Sequence, residues 1–529
     1  MNQSDRIVTV QPLGARPEKG RGLRNLPRIA CAAIVAATAL NCGAASAASQ
    51  VAIGVTETIA SYNPYADSVG LAYGIWCEVL GCLGIWDYEK GEYVGRLAES
   101  WEVDKSDPNI WIFHLRQGVK RQNDGREFTS ADVVHSFMRI NSDPQSMQKA
   151  NVTPVKEMIA VDPHTVKVVT KQPTAPLLEY LFDRFIITSK DLYDKYGARE
   201  SDRKYLWGWG PYKLKELQIG QRIVLEKDPA NPEVRPDNPD TLIFSIMREP
   251  EQRVTALLNN EIQIAQFIPP QLASRVSGAN VKLVHAGSIE LMFLAMSPKF
   301  KPWDNVNLRQ AVCHAIDRDA IIKNVLGGEA DRLDGPIGPG QYGYDPAFAK
   351  QSLLIPYDPV KAKELVRASG YKGELIDLDT PVGRYIDDKE VTQAMIPMLN
   401  AVGINARLRT PEWSSLWADV QKGKVPFFYM GRGTVVDPSV ALQQYFETGG
   451  SPRIGISDPE IDKALDTERV TFDPAQRRKA LNAAFKKIVD AAPACFMWTH
   501  RMLYGISNGV EYKPNAGGRI IGTEIFARQ

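Results

Sequence analysis

Aromatic residues are concentrated in glycine-rich and loop-like stretches of this sequence. Rigid rings bury a large ligand area with little loss of rotamer entropy, and a few charged groups then orient the ligand. The pattern is typical of a binding cleft, although packing in a hydrophobic core is the alternative role for each ring. The turn-forming segment 61–65 suits the wall of such a cleft. The aromatic residues are Tyr62, Tyr65, Trp76, Trp86, Trp207, Trp209, Trp413 and Trp417.

Patterns that would indicate catalysis are missing from the sequence. There is no G-x-S-x-G, H-E-x-x-H, P-loop or calcium-loop pattern, and the glycine-rich segment 517–522 lacks the full dinucleotide fingerprint. The histidines include no close ligand pair, so we interpret each as a core or surface residue. We therefore expect no catalytic residues, no metal site and no cofactor. The histidines are His114, His135, His164, His285, His314 and His500.

Residues 1–47 have the order of a secretory signal peptide. Basic residues precede an apolar run over residues 29–40, and small residues follow before a predicted cleavage site after Ala47. The apolar run is about 12 residues, too short for the ~20 that a membrane-spanning helix needs. We therefore predict a periplasmic protein. Lipid attachment at Cys42 is the alternative, which the preceding Asn41 disfavours because a lipidation site has a small residue there.

The charge and composition of the mature chain exclude several classes of protein. The full chain has 63 basic and 62 acidic residues, of which six basic and two acidic residues lie in residues 1–47. The mature chain therefore has 57 basic and 60 acidic residues and a net charge of −3. Without a basic stripe or a later apolar run of transmembrane length, nucleic-acid binding and integral membrane function are disfavoured. The 529 residues, 44% of them hydrophobic, predict about three globular units.

Four cysteines follow residue 47, and export permits them to form disulfides. Cys77 and Cys82 could bridge across a loop, but in one continuous helix their Cα atoms would be about 8 to 9 Å apart, beyond disulfide reach. The sequence leaves this pairing open. Cys313 lies in a helical pattern and is predicted to be a small core residue, as free cysteine usually is. The fourth is Cys495.

Helices and strands alternate along the predicted mature chain, which favours an α/β fold. Residues 51–55 predict a buried strand, and residues 213–217 and 222–227 predict a strand pair. Asp-Pro pairs begin predicted helices at Asp358, Asp458 and Asp473, because aspartate is a good N-cap and proline suits the first helical turn.

Several segments, in collinear order over nearly all of the mature sequence, resemble the extracellular solute-binding proteins of family 5. This is the peptide and nickel class, whose members are periplasmic binding components of ABC importers. The Asp358-Pro359 helix start also matches. The other matching segments are 97–103 (LAESWEV), 113–120 (FHLRQGVK), 128–137 (FTSADVVHSF), 210–214 (GPYKL), 309–312 (RQAV) and 315–318 (AIDR).

The resemblance implies a periplasmic binding protein-like α/β fold, with two lobes around a ligand cleft and an extra α+β domain inserted in the first lobe. It further implies a monomer that binds a small molecule or peptide and delivers it to an ABC permease in the inner membrane. Residues 1–47 are expected to form the signal peptide, and residues 83–206 the inserted domain. Lobe II is expected to comprise residues 290–501, and lobe I residues 48–82, 207–289 and 502–529.

Ligand contacts are implied for three residues of lobe II. The segment 380–385 resembles the one that presents an arginine to the ligand carboxylate in dipeptide-binding relatives, which makes Arg384 the expected anchor and places Tyr385 beside it. A guanidinium pairs with a carboxylate more directionally than lysine does. A salt bridge is the alternative role for Arg384. Trp413 resembles the aromatic residue that covers the ligand, with core packing as its alternative.

The segment 430–438 departs from the family pattern. Aligning the Asp-Pro pairs leaves Thr434 or Val435 where relatives have the aspartate that binds the ligand's α-amino group, while Arg432 adds a positive charge. Such a cleft favours an anionic or modified ligand over a free ammonium. Asp437 could still approach an amine, but it also suits a helix N-cap.

The function predicted from these features is capture of a peptide-like or other small polar solute, with Arg384, Trp413, Arg432, Asp437, Tyr62, Tyr385 and Thr434 as candidate ligand contacts. A nickel-chelate or opine receptor of the same fold is the alternative. An exported hydrolase and a chaperone-like envelope protein are weaker alternatives, which predict turnover and affinity for unfolded chains.

Overall fold

A computed structural model describes residues 49–433 and 435–528. The predicted signal peptide and Cys42 lie outside the described residues, as does Thr434. Among the helices that are described, none combines the length and apolar character needed to cross a bilayer.

A seven-stranded sheet within the described chain is built from segments that are distant in sequence. Its central strand, Gln50–Val55, pairs in parallel with strands on both sides. Burial on both faces explains its continuous apolar sequence, and the strand predicted at 51–55 is confirmed. The strand pair at 213–217 and 222–227 is confirmed as an antiparallel ladder. In spatial order the strands are Val281–Ala286, Met502–Ser507, Ile264–Ala265, Gln50–Val55, Thr241–Ile246, Arg222–Lys227 and Tyr212–Gln218.

A six-stranded sheet is formed by the chain between residues 291 and 500. Leu291–Met296 is buried along its whole length and pairs antiparallel with strands on both sides. The aromatic and apolar residues of this sheet pack against helices on both faces. In spatial order the strands are Ala330–Arg332, Ala494–His500, Leu291–Met296, Phe427–Arg432, Ile376–Asp379 and Ala406–Arg409.

A third sheet, which is antiparallel, is formed within residues 98–170. In the sequence these residues lie between two strands of the seven-stranded sheet, Gln50–Val55 and Tyr212–Gln218. Helix Ser130–Ser142 contacts the third sheet and begins with a capping box, in which the Asp132 carboxylate accepts a hydrogen bond from the Thr129 N–H (3.2 Å). Two further ladders pair Gly84–Asp87 with Glu92–Gly95 and Val510–Glu511 with Phe526–Ala527. In spatial order the strands of the third sheet are Ala98–Val103, Ile110–Leu115, Thr165–Thr170 and Val155–Asp162.

Helices begin where the Asp-Pro pairs predict. The carboxylates of Asp358, Asp458 and Asp473 each accept a backbone N–H of the first turn, which satisfies a donor that has no partner within the helix. The α-helices are Gly70–Val79, Ser130–Ser142, Leu177–Leu181, Lys190–Lys204, Pro250–Leu258, Pro270–Ala273, Val306–Ala315, Arg318–Asn324, Pro346–Phe348, Pro359–Ser369, Asp388–Ala401, Trp413–Gln421, Pro438–Phe446, Pro459–Arg469 and Pro474–Ala491. Lys149–Val152 and Gly522–Glu524 are 3₁₀ turns, and Ala349–Leu353 is a π turn.

Two short linkers join the seven-stranded and six-stranded sheets in the described chain. Residues 287–290 connect Val281–Ala286 to Leu291–Met296, and Arg501 alone connects Ala494–His500 to Met502–Ser507. The fold is therefore the expected α/β type with two lobes. The residue boundaries of the lobes and the inserted domain stay predictions.

Both cysteine pairs form disulfides. The helix Gly70–Val79 ends before Cys82, and Gly81 has a φ of +100°, so the chain turns back and the Cys77 and Cys82 Cα atoms are 5.1 Å apart. The prediction of Cys313 as a free core cysteine is wrong, because it is bonded to Cys495. Cys313 is buried as predicted, but its partner comes from a strand 182 residues later.

Candidate functional site

A cavity of about 660 Å³ lies where the two linkers meet. Ser288 and Glu290 line it from the first linker and Arg501 lines it from the second, while His500 lines it from the end of the preceding strand. The remaining walls come from both lobes, including Phe267 and the segment 384–387. Its volume suits a small solute, and its position at the linkers places it where a change in the angle between the lobes would open or close it.

The loop that carries Arg384 is held by the side chain of Asp388. This buried carboxylate accepts hydrogen bonds from the backbone N–H groups of Gly383, Arg384 and Tyr385 at 3.0, 2.9 and 3.0 Å. Charge-assisted hydrogen bonds of this kind are stronger than neutral ones. Asp388 therefore fixes the loop in front of the helix Asp388–Ala401, a positioning role that sequence reasoning missed.

Tyr385 attaches the same loop to the six-stranded sheet. Its hydroxyl donates a hydrogen bond to the Gly431 carbonyl (3.3 Å), and burial raises the pKa of Tyr385 to about 12. A Cβ at residue 431 would lie 2.7 Å from the tyrosine ring, so glycine is required for this close approach. Tyr385 lines the cavity, and its contact with a ligand stays a prediction.

The guanidinium of Arg384 is exposed and lies over aromatic rings. Its central carbon is 4.9 Å from the Tyr385 ring centroid and 5.4 Å from that of Trp413. Within residues 49–433 and 435–528, no carboxylate lies within 4.0 Å of it. The salt bridge that was the alternative role is therefore not formed by the described residues. Cation–π contacts hold the side chain while leaving its N–H donors for a ligand.

Trp413 is the first residue of the helix Trp413–Gln421. Its ring contacts the Tyr385 ring edge-on, with 6.1 Å between the ring centroids, and stacks on the Trp417 ring, with 5.5 Å between the centroids. Trp413 is absent from the cavity wall among the described residues, so it reaches the site through Arg384 and Tyr385. Its proposed role of covering a ligand stays a prediction.

Asp437 lies away from the cavity and takes the N-cap role. It caps the helix Pro438–Phe446 and pairs with Arg477 at 2.7 and 2.9 Å. With none of its surface exposed, this carboxylate is neutralised inside the protein and is not presented to a solute. The choice between its two roles depended on Arg477, which is 40 residues away.

Tyr62 is also distant from the cavity wall. Its hydroxyl donates to the Leu217 carbonyl at 2.7 Å, and its ring lies beside the Arg203 guanidinium. The described residues therefore bring together Arg384 and Tyr385 at the cavity, with Trp413 behind them, and leave Tyr62 and Asp437 elsewhere. Arg432 lines a neighbouring chamber rather than this cavity.

His500 is a cavity residue that sequence reasoning did not assign to the site. Only 6% of it is exposed, and neither ring nitrogen has a hydrogen-bond partner among the described residues. Burial lowers the pKa of His500 to about 4, so the ring is neutral at pH 7 and can both donate and accept one hydrogen bond. Nothing in the local sequence indicated this, because the residue reaches the cavity through sheet topology.

Three carboxylate residues also line the cavity, namely Glu57, Glu290 and Asp387. Glu57 accepts a hydrogen bond from the Leu71 N–H (2.9 Å). Burial raises the pKa of Glu290, and the nearby positive charge of Arg384 opposes that shift. The cavity therefore combines cationic, anionic and neutral polar groups around apolar walls, which suits recognition of a polar solute. No group of three or more His, Cys, Asp or Glu side chains in the described ranges is arranged to hold a metal ion.

The family model described as bacterial extracellular solute-binding proteins, family 5 Middle, matches residues 92–453. The chain belongs to this family. The dipeptide-binding protein of Escherichia coli K12 is 31% identical over 437 residues, which cover 76% of this chain and 80% of that protein. The glutathione-binding protein of the same organism is 27% identical over 491 residues, which cover 89% of this chain and 93% of that protein.

The fold of this solute-binding protein is shared with solved structures. The structure of HbpA2 from Haemophilus parasuis has a TM-score of 0.82 at 20% identity and covers 91% of this chain and 100% of that one. The expected family and fold are thus confirmed, and the family consists of binding proteins. Similar structures include proteins described as periplasmic.

Proposed function

We propose that this family-5 protein captures a small, carboxylate-bearing, peptide-like solute in the periplasm and delivers it to an ABC permease in the inner membrane. Arg384 is the proposed anchor for the solute's carboxylate. The observation that carries this proposal is the Arg384 guanidinium, held over two aromatic rings at the cavity without an ion pair among the described residues.

The solute is not chemically changed in this proposal. His500 hydrogen-bonds a polar group of it, and the apolar wall around Phe267 packs against the rest. The names of the similar E. coli proteins, which bind a dipeptide and glutathione, support a peptide-like ligand. An opine is the second candidate, because Asp437 is paired with Arg477 and thus does not offer a carboxylate for the ligand's amine.

Capture involves closure of the two lobes about the linkers at 287–290 and Arg501. A solute that contacts both lobes binds the closed form more tightly and shifts the population toward it. The permease then distinguishes the closed form from the open one. In this proposal the receptor acts as a monomer, since one chain supplies all of the named contacts.

Native mass spectrometry of protein purified from the periplasm without denaturation tests the proposal. We expect one retained small molecule with a carboxylate, lost on unfolding and unchanged in mass after release. Conversion of that molecule into a product with turnover would instead establish an enzyme. An empty protein leads to a binding screen across peptides, opines and metal chelates, and tight binding only of solutes without a carboxylate would contradict the proposal.

Arg384→Ala tests the anchor directly. We expect a loss of affinity of roughly 30-fold or more for a carboxylate solute, because the proposed lobe closure buries the charged hydrogen bonds of Arg384 and such bonds contribute strongly. Arg407→Ala is the matched control, since Arg407 is an exposed arginine of the same lobe that pairs with Asp377. Equal affinity of the two variants, measured by isothermal titration calorimetry, would show that Arg384 is not the anchor.

A further inference from the structure

A second chamber of about 390 Å³ adjoins the main cavity. The two share four lining residues, Gly70, Gly433, Gly517 and Arg519, so they form one continuous cleft. Arginines are the charged residues of the second chamber, and no Asp or Glu of the described chain lines it. The arginines are Arg184, Arg432 and Arg519.

Two of these arginines have carboxylates beside them. Arg519 pairs with Asp183 at 2.9 Å, and a guanidinium nitrogen of Arg184 lies 3.8 Å from Glu179. Their positive charges are thus balanced within the protein. Among the described arginines of the chamber, Arg432 is the one without a carboxylate within ion-pair distance.

Arg432 is buried without a carboxylate partner in the described chain. It is 3% exposed, and its Nη2 donates a hydrogen bond to the Pro336 carbonyl (3.3 Å). Its Nε and Nη1 have no hydrogen-bond partner among the described residues. Buried polar groups are normally hydrogen-bonded, and buried charges are normally paired. An unpartnered guanidinium in a chamber open to the ligand cavity therefore indicates a partner that arrives with the solute.

Arg432 keeps its charge despite burial. Loss of hydration lowers the pKa of Arg432 to about 10, which leaves the guanidinium protonated at neutral pH. The neutral polar residues Ser68, Asn151 and Gln444 line the same chamber and can add hydrogen bonds. An acidic group would meet a positive charge here without meeting a carboxylate.

We propose that the second chamber binds a carboxylate at the far end of the solute, so that the protein selects solutes with two acidic groups. Arg384 holds one carboxylate, and Arg432 holds the other. This inference rests on the proposed function and narrows its ligand class to dicarboxylates, such as acidic N-acylated peptides. An ammonium group in the chamber is disfavoured, because it would face the unbalanced charge of Arg432.

Matched probes test the inference without knowledge of the natural solute. Succinyl-(Ala)n peptides, with one to four alanines, carry a carboxylate at each end. Succinamoyl-(Ala)n peptides replace only the succinyl carboxylate by an amide. Calorimetric titration of the wild-type protein should show that, at the best-fitting length, the acid binds roughly tenfold or more tightly than the amide. Similar affinities at every length, or no binding of any probe, would overturn the proposal.

Substitutions then assign the preference to Arg432. In Arg432→Gln the acid and the amide should bind with similar affinity, whereas the exposed control Arg407→Gln should keep the wild-type preference. If folded Arg432→Gln still binds the acid more tightly than the amide, the assignment to Arg432 is wrong. If that variant does not fold, the comparison of acid and amide with the wild-type protein still decides whether the chamber binds a carboxylate. Arg384→Ala separates the two proposals. If this variant binds the amide as tightly as the wild type does, Arg384 is not the anchor. The ratio of acid to amide affinity still reports on the second chamber.

Discussion

The charges around Asp437 and those around the solute cavity are arranged in opposite ways. In the Asp437 cluster, Arg477 donates to Asp437 at 2.7 and 2.9 Å and to Glu468 at 3.1 Å, with both carboxylates fully buried. In the cleft, Arg384 and Arg432 have no ion pair among the described residues. The three arginines that differ in this way all lie in the chain between residues 291 and 500.

This difference separates charges that stabilise the fold from charges that, in our proposal, bind the solute. Removing one member of a buried ion pair leaves its partner buried and unpaired, which is strongly destabilising. A charge that has no partner in the empty protein contributes no such pairing energy. Substitutions in the Asp437 cluster should therefore reduce stability, whereas substitutions of the cleft arginines should chiefly reduce solute affinity.

Arg477→Ala should give the largest effect on stability. We expect the free energy of unfolding to fall by about 3–5 kcal/mol, because Asp437 and Glu468 would both lose their buried cation. Denaturant unfolding measures the change. Arg478→Ala, an exposed neighbour on the same helix, is the control and should stay within about 0.5 kcal/mol of the wild type. A similar small change in Arg477→Ala would contradict the stabilising role of the cluster.

His500 should make stability depend on pH. Its pKa is about 4 in the folded protein, against an ordinary value of 6.5, so the unfolded chain binds more protons between these values and stability falls as pH drops from 6.5 to 4. The contribution is about 3 kcal/mol. Denaturant unfolding between pH 6.5 and pH 4 should show a smaller decrease in the free energy of unfolding for His500→Gln than for the wild type. The more exposed control His285→Gln should show the wild-type decrease, and an unchanged profile in His500→Gln would refute the prediction.

Asp388→Ala should loosen the loop that carries Arg384. Three backbone N–H groups of the loop and that of Lys389 would lose their acceptor. We expect a loss of about 2 kcal/mol in the free energy of unfolding together with weaker solute binding. Unfolding and calorimetric titration measure the two effects. Glu390→Ala, an exposed acidic residue in the first turn of the same helix, is the control. Wild-type affinity in Asp388→Ala would mean that the loop does not need this support.

Arg432→Met should have the smallest effect on stability, with the opposite sign to Arg477→Ala. Replacing an unpaired buried charge by an apolar side chain of similar length should raise the free energy of unfolding of the empty protein by about 1 kcal/mol. Unfolding of solute-free protein measures this gain. A loss comparable to that of Arg477→Ala would show that Arg432 has a structural partner after all and would remove the contrast between the two regions.

Local sequence signals predicted the elements but not the complete site. The Asp-Pro helix starts were predictable, since a cap and its helix lie within a few residues of each other. The resemblance indicated Arg384, whose role as anchor stays a prediction. His500 and Asp388 could not be found in the same way, because their roles depend on strand order and on a loop that folds back.

Long-range partners limited the other predictions. Cys313 was correctly placed in the core, but its bond to Cys495 depends on a strand that follows 182 residues later. Asp437 had two possible roles until Arg477 was located beside it. Residues 291–500 contribute only part of the cavity wall, so no window of the sequence contains the whole site.

The single-residue linker at Arg501 has a consequence for the order in which the two lobes fold. Residues 291–500 contain all six strands of their sheet and both cysteines of the Cys313–Cys495 disulfide. The seven-stranded sheet, by contrast, still lacks Met502–Ser507, which lies between two of its earlier strands. We therefore expect the second lobe to be complete before the first lobe closes its sheet. The cavity can therefore be completed only when almost the entire polypeptide is available for folding, because Gly517 and Arg519 belong to its wall.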